Sequence, residues 1–576
     1  MECPTLTILC YFLNTVMNLI NYQTPADLNS FKTLQWEEAD FIIVGAGPAG
    51  ALLANREPKY ASVPAYTSYT QQARLTVTWP VENDSRFCGG KMCPFDGGLG
   101  LGGGTLHNEM IYNRGHKDIF NTWKKLGNDG WSYEEILPFF KKWENNLDPE
   151  FYHETRYHAR GGSQSVGRWP YTDISVSPLL HAFEEVGLKQ RDVNGKEQEG
   201  VMHLQFFQKD GQRQSANKAF LEPIENIRDN LKILTNVKVT RVIIDPKTKR
   251  ATGVEYASEK TRAILGKLKA KKEVIVSGGA ISSPQILMLS GIGPEETLKP
   301  LGIPVIKNLN VGVDLQNHNR IDVNLLFKNG RGTMPATDQA VLSDFLKYES
   351  NHTGPLAAIG AFAINAYIHS NQSKPTEMPD LQILFGPRHL YEYEQPPSFQ
   401  IPHSYYDSIR AVVYAVLPKS RGYVSINSSD PFHPPLINAF NNTEEDDYLS
   451  MVDGALFLTQ KVFKTEAFKT LGAYVDEKPA PLCSRYTFNT KDYWLCYAKH
   501  YTEPSRHYAS SCRMGPSSDP ISVVDSQLKV HGVPNLRVID ASIMPLLVNG
   551  NTNAPVLMIA EKGADMIIKQ YRRKHD

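Results

Sequence analysis

Two distant segments of this 576-residue chain carry residue types that could act on one ligand. The first, Gly45-Ala46-Gly47-Pro48-Ala49-Gly50, follows the apolar run Phe41-Ile42-Ile43-Val44. Glycines at this spacing permit a tight turn and a close approach of the backbone, so this segment could cradle the pyrophosphate of a dinucleotide. The second, residues 549–555, precedes a helical pattern and could place another helix N-terminus beside the same cofactor.

The elements around these segments predict an α/β architecture. An apolar strand, the glycine turn and a helical pattern come first, and residues 273–277 form a further strand that leads into a second helix. Residues 231–245 alternate in polarity and predict two strands, at 231–234 and 237–244. Beyond about Arg320 longer alternating strands predict an antiparallel second domain, and the chain returns to the first domain after about Pro504.

Composition excludes some partners. The 61 basic and 61 acidic residues balance and are interspersed, which is not typical of a nucleic-acid-binding protein. No stretch approaches the ~20 apolar residues of a membrane-spanning helix, and no metal-binding set is predicted. The N-terminus is apolar over residues 6–13 but has no Lys or Arg before Lys32, so it is an imperfect signal peptide. Secretion is therefore our expectation.

Cysteine spacing and glycosylation motifs bear on the same question. Two cysteine pairs are close in sequence and would allow local disulfides in an oxidising compartment; on spacing alone, buried thiols are an open alternative. These pairs are Cys88 with Cys93 and Cys483 with Cys496. Five N-x-[S/T] sequons would permit glycosylation of a secreted protein, at Asn83, Asn351, Asn371, Asn427 and Asn441.

A longer pattern indicates a family. Residues 279–293 resemble the second signature of the glucose-methanol-choline (GMC) oxidoreductases, which are FAD-dependent alcohol dehydrogenases and oxidases, at every specified position. Residues 419–422 and 430–435 are similar to the family's C-terminal domain. The resemblance covers about residues 39–570. The insect members labelled glucose dehydrogenase are closest in character, and their usual two cysteine pairs favour disulfides and secretion here.

This resemblance implies a fold and a division of the chain. The fold is a Rossmann-like FAD-binding domain of the glucose oxidase type, with a second, substrate domain built on an antiparallel sheet with helices. The implied parts are a signal-like segment and linker at 1–35, the FAD-binding domain at 36–319, the substrate domain at 320–504 and a return to the FAD domain at 505–576.

The resemblance also implies the residues that contact FAD. In the family, the segment matching residues 98–108 lies against the pyrophosphate and the flavin. Independently, an acidic residue that ends an apolar strand, such as Asp540, is a common ligand position; an N-cap for the following turn is the alternative. The implied FAD contacts are Gly45, Gly47, Gly50, Gly100, Gly102, Gly103, Asn108, Glu109, Met110, Ile111, Val237, Asp540 and Ala541.

Oxidation of an alcohol needs a base for the hydroxyl proton, and histidine suits this role because its ordinary pKa is near 6.5. His507 lies in a segment, 506–515, that resembles the one carrying the family's catalytic histidine. Asn553 corresponds to the second active-site position, where its carboxamide could orient the substrate oxygen; a helix N-cap is the alternative. The implied partners are a small alcohol or sugar and, as electron acceptor, a quinone or oxygen.

One expected part of the FAD site is missing from the sequence. A dinucleotide fold places an acidic residue ~20 residues past the glycines, where it binds the ribose hydroxyls. Glu57 comes too early for this role and Glu82 too late, and residues 75–79 are the only candidate for a short strand between them. We interpret this as a deletion after Arg56. The leading hypothesis is an FAD-dependent oxidoreductase; the alternative is a flavin-free, catalytically inactive relative with a binding or structural role.

Overall fold

The computed structural model describes residues 38–51, 62–67, 76–80, 87–91, 93, 95–224, 227–374, 378–390, 401–438 and 444–572. Within these residues the strands are β1 Glu38–Val44, β2 Thr76–Thr78, β3 Asp96–Gly98, β4 Glu144–Asn146, β5 Gln164–Val166, β6 Gly200–His203, β7 Gln208–Lys209, β8 Gln212–Arg213, β9 Val237–Ile244, β10 Ala251–Ser258, β11 Ile264–Val276, β12 Ile292–Gly293, β13 Lys307–Asn308, β14 Asn319–Phe327, β15 Ile364–Ile368, β16 Leu381–Arg388, β17 Ser408–Ala415, β18 Tyr423–Ser425, β19 Leu436–Asn438, β20 Ala473–Val475, β21 Glu503–Pro504 and β22 Leu536–Val538. The α-helices are α1 Pro48–Ala51, α2 Lys117–Lys125, α3 Tyr133–Trp143, α4 Val176–Glu185, α5 Ala216–Phe220, α6 Gly279–Leu289, α7 Glu295–Leu298, α8 Asp338–Asn351, α9 Glu445–Gln460, α10 Glu466–Thr470, α11 Lys491–Tyr501 and α12 Asn553–Arg572.

The first sheet has a parallel centre, which confirms the predicted α/β class. Strand β11 lies between β1 and β22 and runs parallel to both, with Val276 opposite Val44 and Val538. Its N-terminal half pairs antiparallel with β10, which pairs with β9. Strand β11 is therefore longer than the predicted strand at 273–277, because its first half forms a hairpin with β10.

The three parallel strands end at one edge of this sheet, where the predicted site residues begin. The Ser277 N–H donates to the carbonyl of Val44 at 2.7 Å, and the Ile539 N–H donates to that of Val276 at 2.9 Å. Helix α6 follows β11 directly and is mostly buried, which fits its apolar sequence. Ligands of parallel sheets bind outside the carboxyl ends of the strands, so we expect the cofactor to bind at this edge.

The second sheet is antiparallel, as predicted. Its strand order is β20-β14-β17-β16-β15-β6, and β21 also pairs with β14. Helices α4, α9 and α11 contribute to the core packed against this sheet. Strand β6 joins it from an earlier part of the chain than the predicted substrate domain at 320–504, because it pairs with β15. The domain boundaries stay a prediction.

The structure differs from the sequence-based expectation for two short strands, at 231–234 and 75–79. The predicted strand at 231–234 was wrong, because these residues have no regular structure and β9 pairs instead with β10. In the described part of the chain, the edge of β1 opposite β11 carries no strand. Strand β2, within the candidate segment 75–79, pairs antiparallel with β3 rather than with β1. The proposed deletion after Arg56, Glu57 and Glu82 lie outside the described residues.

Both predicted disulfides are formed, Cys88–Cys93 and Cys483–Cys496. Of the five sequon asparagines, Asn351, Asn371 and Asn427 are exposed, whereas Asn83 and Asn441 lie outside the described residues. None of the helices in the described ranges is long and apolar enough to cross a membrane.

Candidate active site

The first glycine turn can be built only with glycine at two positions. Gly45 has a φ of +110°, and a Cβ there would lie 2.4 Å from the carbonyl oxygen of Ser277. A Cβ on Gly50 would lie 2.0 Å from the carbonyl oxygen of Gly45. The chain therefore turns sharply from β1 into α1 against the start of α6, because no side chain separates these backbones.

A second glycine loop, residues 98–104, packs against the first. The Gly102 N–H donates to the carbonyl of Ala46 at 2.8 Å. A Cβ on Gly103 would lie 2.6 Å from the Cα of Gly47, whereas a Cβ on Gly47 itself would meet nothing within 4 Å. Two side-chain-free turns thus meet and leave an open face at Gly47, and this cradle fits a pyrophosphate.

Residues 108–111 continue from this loop through a fixed turn. The Asn108 carboxamide oxygen accepts from the Met110 N–H at 3.1 Å and from Arg213 at 2.9 Å. Met110 has a φ of +58°, and Ile111 forms a bridge with Phe206. Gly100, with a φ of +121°, accepts from the Gly103 N–H at 3.0 Å. The loop's conformation is thus set by internal hydrogen bonds.

The Asp540 carboxylate accepts hydrogen bonds from other groups of the protein. It accepts from the Gly279 N–H at 2.8 Å, from the Ser283 hydroxyl at 2.6 Å and from the N–H and hydroxyl of Ser542. The side chain therefore ties β22 to the start of α6 and caps the following turn, which is the alternative raised from the sequence. A cofactor contact stays a prediction for the backbone of Asp540 and for half-buried Ala541.

Val237 lies apart from these loops. It begins β9, and strands β10 and β11 separate it from β1. It is opposite Ser258 of β10, near the level where β11 begins, whereas the glycine turn follows Val44, which is opposite the last residue of β11, Val276. A contact between Val237 and the far end of an extended dinucleotide stays a prediction.

His507 is held by contacts on several sides. Its backbone N–H donates to the Asn317 carboxamide oxygen at 2.8 Å, and its Nδ1 lies 2.9 Å from the Nδ1 of His318. The ring also stacks on Tyr414, with centroids 6.3 Å apart. These contacts come from the segment before β14 and from β17, so residues of both predicted domains position the candidate base.

The residues flanking His507 are fastened to the segment that carries β3. Arg506 makes a bidentate ion pair with Asp96, and the ring of Tyr508 stacks on Phe95 with centroids 4.1 Å apart. Arg506 has a φ of +60°, an uncommon conformation for a residue other than glycine, and the ion pair helps to hold it.

Asn551, rather than Asn553, contacts His507. The Nδ2 of Asn551 lies 3.3 Å from the Nε2 of the His507 ring. Asn553 is the first residue of α12, and its carboxamide oxygen is buried with no hydrogen bond to any described residue. The described hydrogen bond to His507 thus comes from Asn551, and the role of Asn553 as the second active-site residue stays a prediction.

The surroundings keep His507 neutral. Burial lowers the pKa of His507 to about 4; the nearby Glu109 carboxylate raises this pKa and Arg320 lowers it. His318 is fully buried, and burial and the neighbouring His507 lower its pKa well below the ordinary value. At neutral pH both imidazoles are uncharged, so the Nε2 of His507, the nitrogen on the side away from His318, can accept a proton.

Sequence reasoning missed three features of this site: His318, Asn551 and the carboxylate of Glu109, which was predicted as a cofactor contact only. Asn551 and Asn553 share a residue type two positions apart, so spacing alone could not choose between them. His318 follows Leu315-Gln316-Asn317 directly before a strand. The polar residues at the start of this strand could have indicated that His318 belongs to the site.

Comparison with known proteins identifies relatives of the whole chain. Residues 39–320 and 418–560 match the N-terminal and C-terminal models of the GMC oxidoreductases. The chain is 37% identical to a glucose dehydrogenase [FAD, quinone] of Drosophila pseudoobscura pseudoobscura, over 93% of this chain and 88% of that protein. It is 30% identical to an alcohol dehydrogenase [acceptor] of Pseudomonas putida, over 92% of this chain and 96% of that protein.

A solved structure supports the same fold. An FAD-dependent oxidoreductase from Chaetomium thermophilum superposes with a TM-score of 0.78 at 22% identity, covering 93% of this chain and all of that one. Together with the matches over both ends of the sequence, these similarities show that the chain belongs to the GMC oxidoreductase family.

Proposed function

We propose that this protein is an FAD-dependent oxidoreductase that oxidises the CH–OH group of a small alcohol or sugar, with His507 as the base and Asn551 as its partner. The observation that carries the proposal is the 3.3 Å approach of the Asn551 carboxamide nitrogen to the Nε2 of a neutral His507. Family membership supports it, since its relatives include a glucose dehydrogenase [FAD, quinone] and an alcohol dehydrogenase.

The glycine cradle is the proposed site for the FAD pyrophosphate. Gly45, Gly47, Gly102 and Gly103 offer backbone without side chains at the carboxyl edge of the parallel strands. The backbone of residues 108–111 and of 540–541 would hold the flavin half. When bound, FAD supplies the ring that accepts the hydride from the alcohol carbon.

The protein's own contribution is to hold the hydroxyl group and take its proton. A substrate hydroxyl that replaces the direct contact between these two side chains would donate to the Nε2 of His507 and accept from the Nδ2 of Asn551. The Glu109 carboxylate favours the imidazolium that forms, because its charge raises the pKa of His507. Packing of the ring against Tyr414 and His318 keeps Nε2 aimed at the substrate.

The remaining proposals concern acceptor and compartment. We propose a quinone as the electron acceptor, with oxygen as the competing possibility, because the insect relative is named for FAD and quinone. We also propose secretion with glycosylation. The two disulfides and the exposed sequon asparagines support this. Expression in insect cells, with detection of a glycosidase-sensitive protein in the medium, tests it.

The decisive experiment is the visible absorption spectrum of the purified protein before and after reconstitution with FAD. We expect an oxidised-flavin band that bleaches when a substrate alcohol is added. In His507→Ala we expect the band to remain while kcat falls by about 10²–10⁴-fold, the range for loss of a general base. His181→Ala, at an exposed histidine, is the matched control.

Two results would contradict the proposal. Full turnover in His507→Ala would reject His507 as the base. A protein that stays colourless after reconstitution, and whose thermal midpoint ignores added FAD, would favour the flavin-free alternative that the missing ribose carboxylate suggests.

A further inference from the structure

We propose that the Cys88–Cys93 disulfide positions His507, by joining two sets of contacts to the chain around this histidine. Residues 88–89 contact the chain shortly before His507, and residues 95–96 contact the residues on either side of it. The proposal rests on the proposed function, in which His507 is the base. It gives one of the two disulfides a role in the reaction as well as in stability.

The segment that carries His507 is held on one side by hydrogen bonds from its backbone. The N–H groups of residues 505, 507 and 509 all donate to residues 316–318, at distances from 2.8 to 3.1 Å. These bonds fix the backbone of the segment. They leave the side chains that flank His507 to be held by another part of the chain.

The second side of the segment is held by the residues that follow the disulfide. The Arg506 guanidinium makes a bidentate ion pair with Asp96, and the ring of Tyr508 stacks on Phe95 with centroids 4.1 Å apart. Phe95 is fully buried, and Asp96 is buried as well. His507 therefore lies between two side chains that are both anchored to this second segment.

The disulfide itself contacts the chain shortly before His507. The Cys88 N–H donates to the carbonyl of Thr502 at 3.2 Å, and Thr502 is fully buried. The next residue, Gly89, has a φ of +67°, and a Cβ there would lie 2.9 Å from a ring carbon of Tyr501. The backbone of Gly89 thus packs directly on the Tyr501 ring.

The disulfide links these two sets of contacts. It joins residues that are five apart in sequence, so it holds the contacts at 88–89 and those at 95–96 at a fixed separation. The chain from 501 to 508 is then clamped at both ends against one rigid loop. Without the bond, we expect the His507 ring to take up several orientations relative to Asn551, which it contacts in the intact protein.

Replacing both cysteines tests the role of the bond. In Cys88→Ala/Cys93→Ala we expect the flavin band to remain while kcat per bound flavin falls by about 10-fold, because a small displacement of a reacting group slows a reaction strongly. We expect KM to change little, since an orientation needed only in the transition state lowers kcat and kcat/KM together.

The second disulfide provides the matched control. Cys483–Cys496 joins residues 13 apart rather than 5, so its loss should lower the denaturant midpoint more. Its loop meets the chain before His507 at the Tyr501 hydroxyl, which accepts from the Leu482 N–H at 3.1 Å. We expect Cys483→Ala/Cys496→Ala to keep kcat close to that of the wild-type protein. The two variants should thus rank in opposite orders for stability and for kcat, and a kcat that simply follows stability would refute the positioning role.

A double-mutant cycle tests whether the bond acts through residues 95–96. Asp96→Asn weakens the ion pair with Arg506 and leaves the disulfide in place. If the disulfide acts through this contact, Asp96→Asn should lower kcat by a smaller factor in protein that lacks the disulfide than in protein that has it. Equal factors in the two backgrounds would contradict the proposal.

A further variant keeps both disulfides. Phe95→Leu removes the ring that stacks on Tyr508 and retains an apolar side chain. Nitrogen-15 NMR of histidine-labelled protein reports the His507 ring, whose signals are identified by their absence from His507→Ala. We expect sharp signals in the wild-type protein and broadened or split signals in Phe95→Leu and in the variant without Cys88 and Cys93. Unchanged signals in Phe95→Leu would refute the proposal even if the disulfide variant did not fold.

The outcome is separable from that of the proposed function. If His507→Ala kept its turnover while the ring signals changed as expected, the disulfide would still position His507 and the catalytic assignment would fail. If His507→Ala lost its turnover while the ring signals stayed unchanged in both variants, the base would stand and the positioning role would fail.

Discussion

The glycine cradle and the His507 pocket are built on different principles. The cradle is made of backbone from two segments, residues 45–50 and 98–104, and its shape follows from positions where no Cβ can be placed. The pocket is made of side chains from four segments, at His318, Gln382, His507 and Asn551. We therefore expect the cradle to be sensitive to added side-chain volume and insensitive to the polarity of nearby side chains. We expect the pocket to be sensitive to the loss of polar groups and less sensitive to volume.

The largest effect should come from adding one methyl group to the cradle. In Gly50→Ala the new Cβ would overlap the Gly45 carbonyl oxygen, and we expect a loss of about 3 kcal/mol or more in the free energy of unfolding. Gly47→Ala is the matched control, because its Cβ would meet no protein atom within 4 Å. We expect it to leave stability unchanged and to weaken FAD retention. Denaturant unfolding measures the stability of the two variants, and absorbance measures their flavin content. Equal stabilities of Gly50→Ala and Gly47→Ala would contradict the predicted difference between the two positions.

The next effect separates two asparagines of the pocket. Asn551→Ala removes the donor beside His507, and we expect kcat/KM to fall by about 10²-fold, as for loss of one oriented hydrogen-bond donor. Asn553→Ala should change kcat/KM by less than about 3-fold, because no such contact is made there. Steady-state kinetics on one substrate distinguishes the two residues, and a larger loss in Asn553→Ala than in Asn551→Ala would support Asn553, the residue predicted from the sequence.

The pH dependence should follow the half-buried base, His507. Because the pKa of His507 is about 4, kcat/KM should stay level through neutral pH and fall as the pH drops through about 4, where the ring becomes protonated. In Glu109→Gln this acid limb should move to lower pH, since the carboxylate raises the pKa. An acid limb near pH 6.5 in the wild-type enzyme would contradict the lowered pKa of His507.

Acid instability has to be separated from that profile. The folded protein keeps His403 and His507 neutral to a pKa of about 4, whereas the unfolded chain protonates them near 6.5. The unfolded state therefore binds more protons between these values, and stability falls as the pH drops through this window. Brief exposure to acid, followed by a return to pH 7 and recovery of full activity, is the control.

The smallest effect should come from the ion pair beside the base. Asp96→Asn keeps the shape of the side chain but removes the charge that holds Arg506, so we expect a loss of a few fold in kcat at unchanged flavin content. Asp129→Asn, at an exposed position, is the control. A loss as large as that of Asn551→Ala would mean that the ion pair does more than hold the segment.

Much of the fold could be predicted, because it depends on short-range patterns. The apolar strand before Gly45, the glycine turn and the helix from Gly279 each follow from residues that are neighbours in sequence. The misplaced strand at 231–234 and the strand β6, which crosses to the second sheet, show the limit. Alternation predicts an extended segment, but pairing depends on partners far along the chain.

The sequence by itself indicated the family and the glycines of the cradle, and through the family resemblance it favoured the two disulfide pairs and His507 as the candidate base. The signature pattern of the family and the conformational freedom of glycine are properties of short stretches of sequence. Only the tertiary structure decided that Asn551 and not Asn553 faces His507, that His318 stands behind it and that Glu109 adds its charge. The reason is physical: hydrogen bonds and electrostatic contacts depend on directions and distances between side chains that only the packed chain brings together.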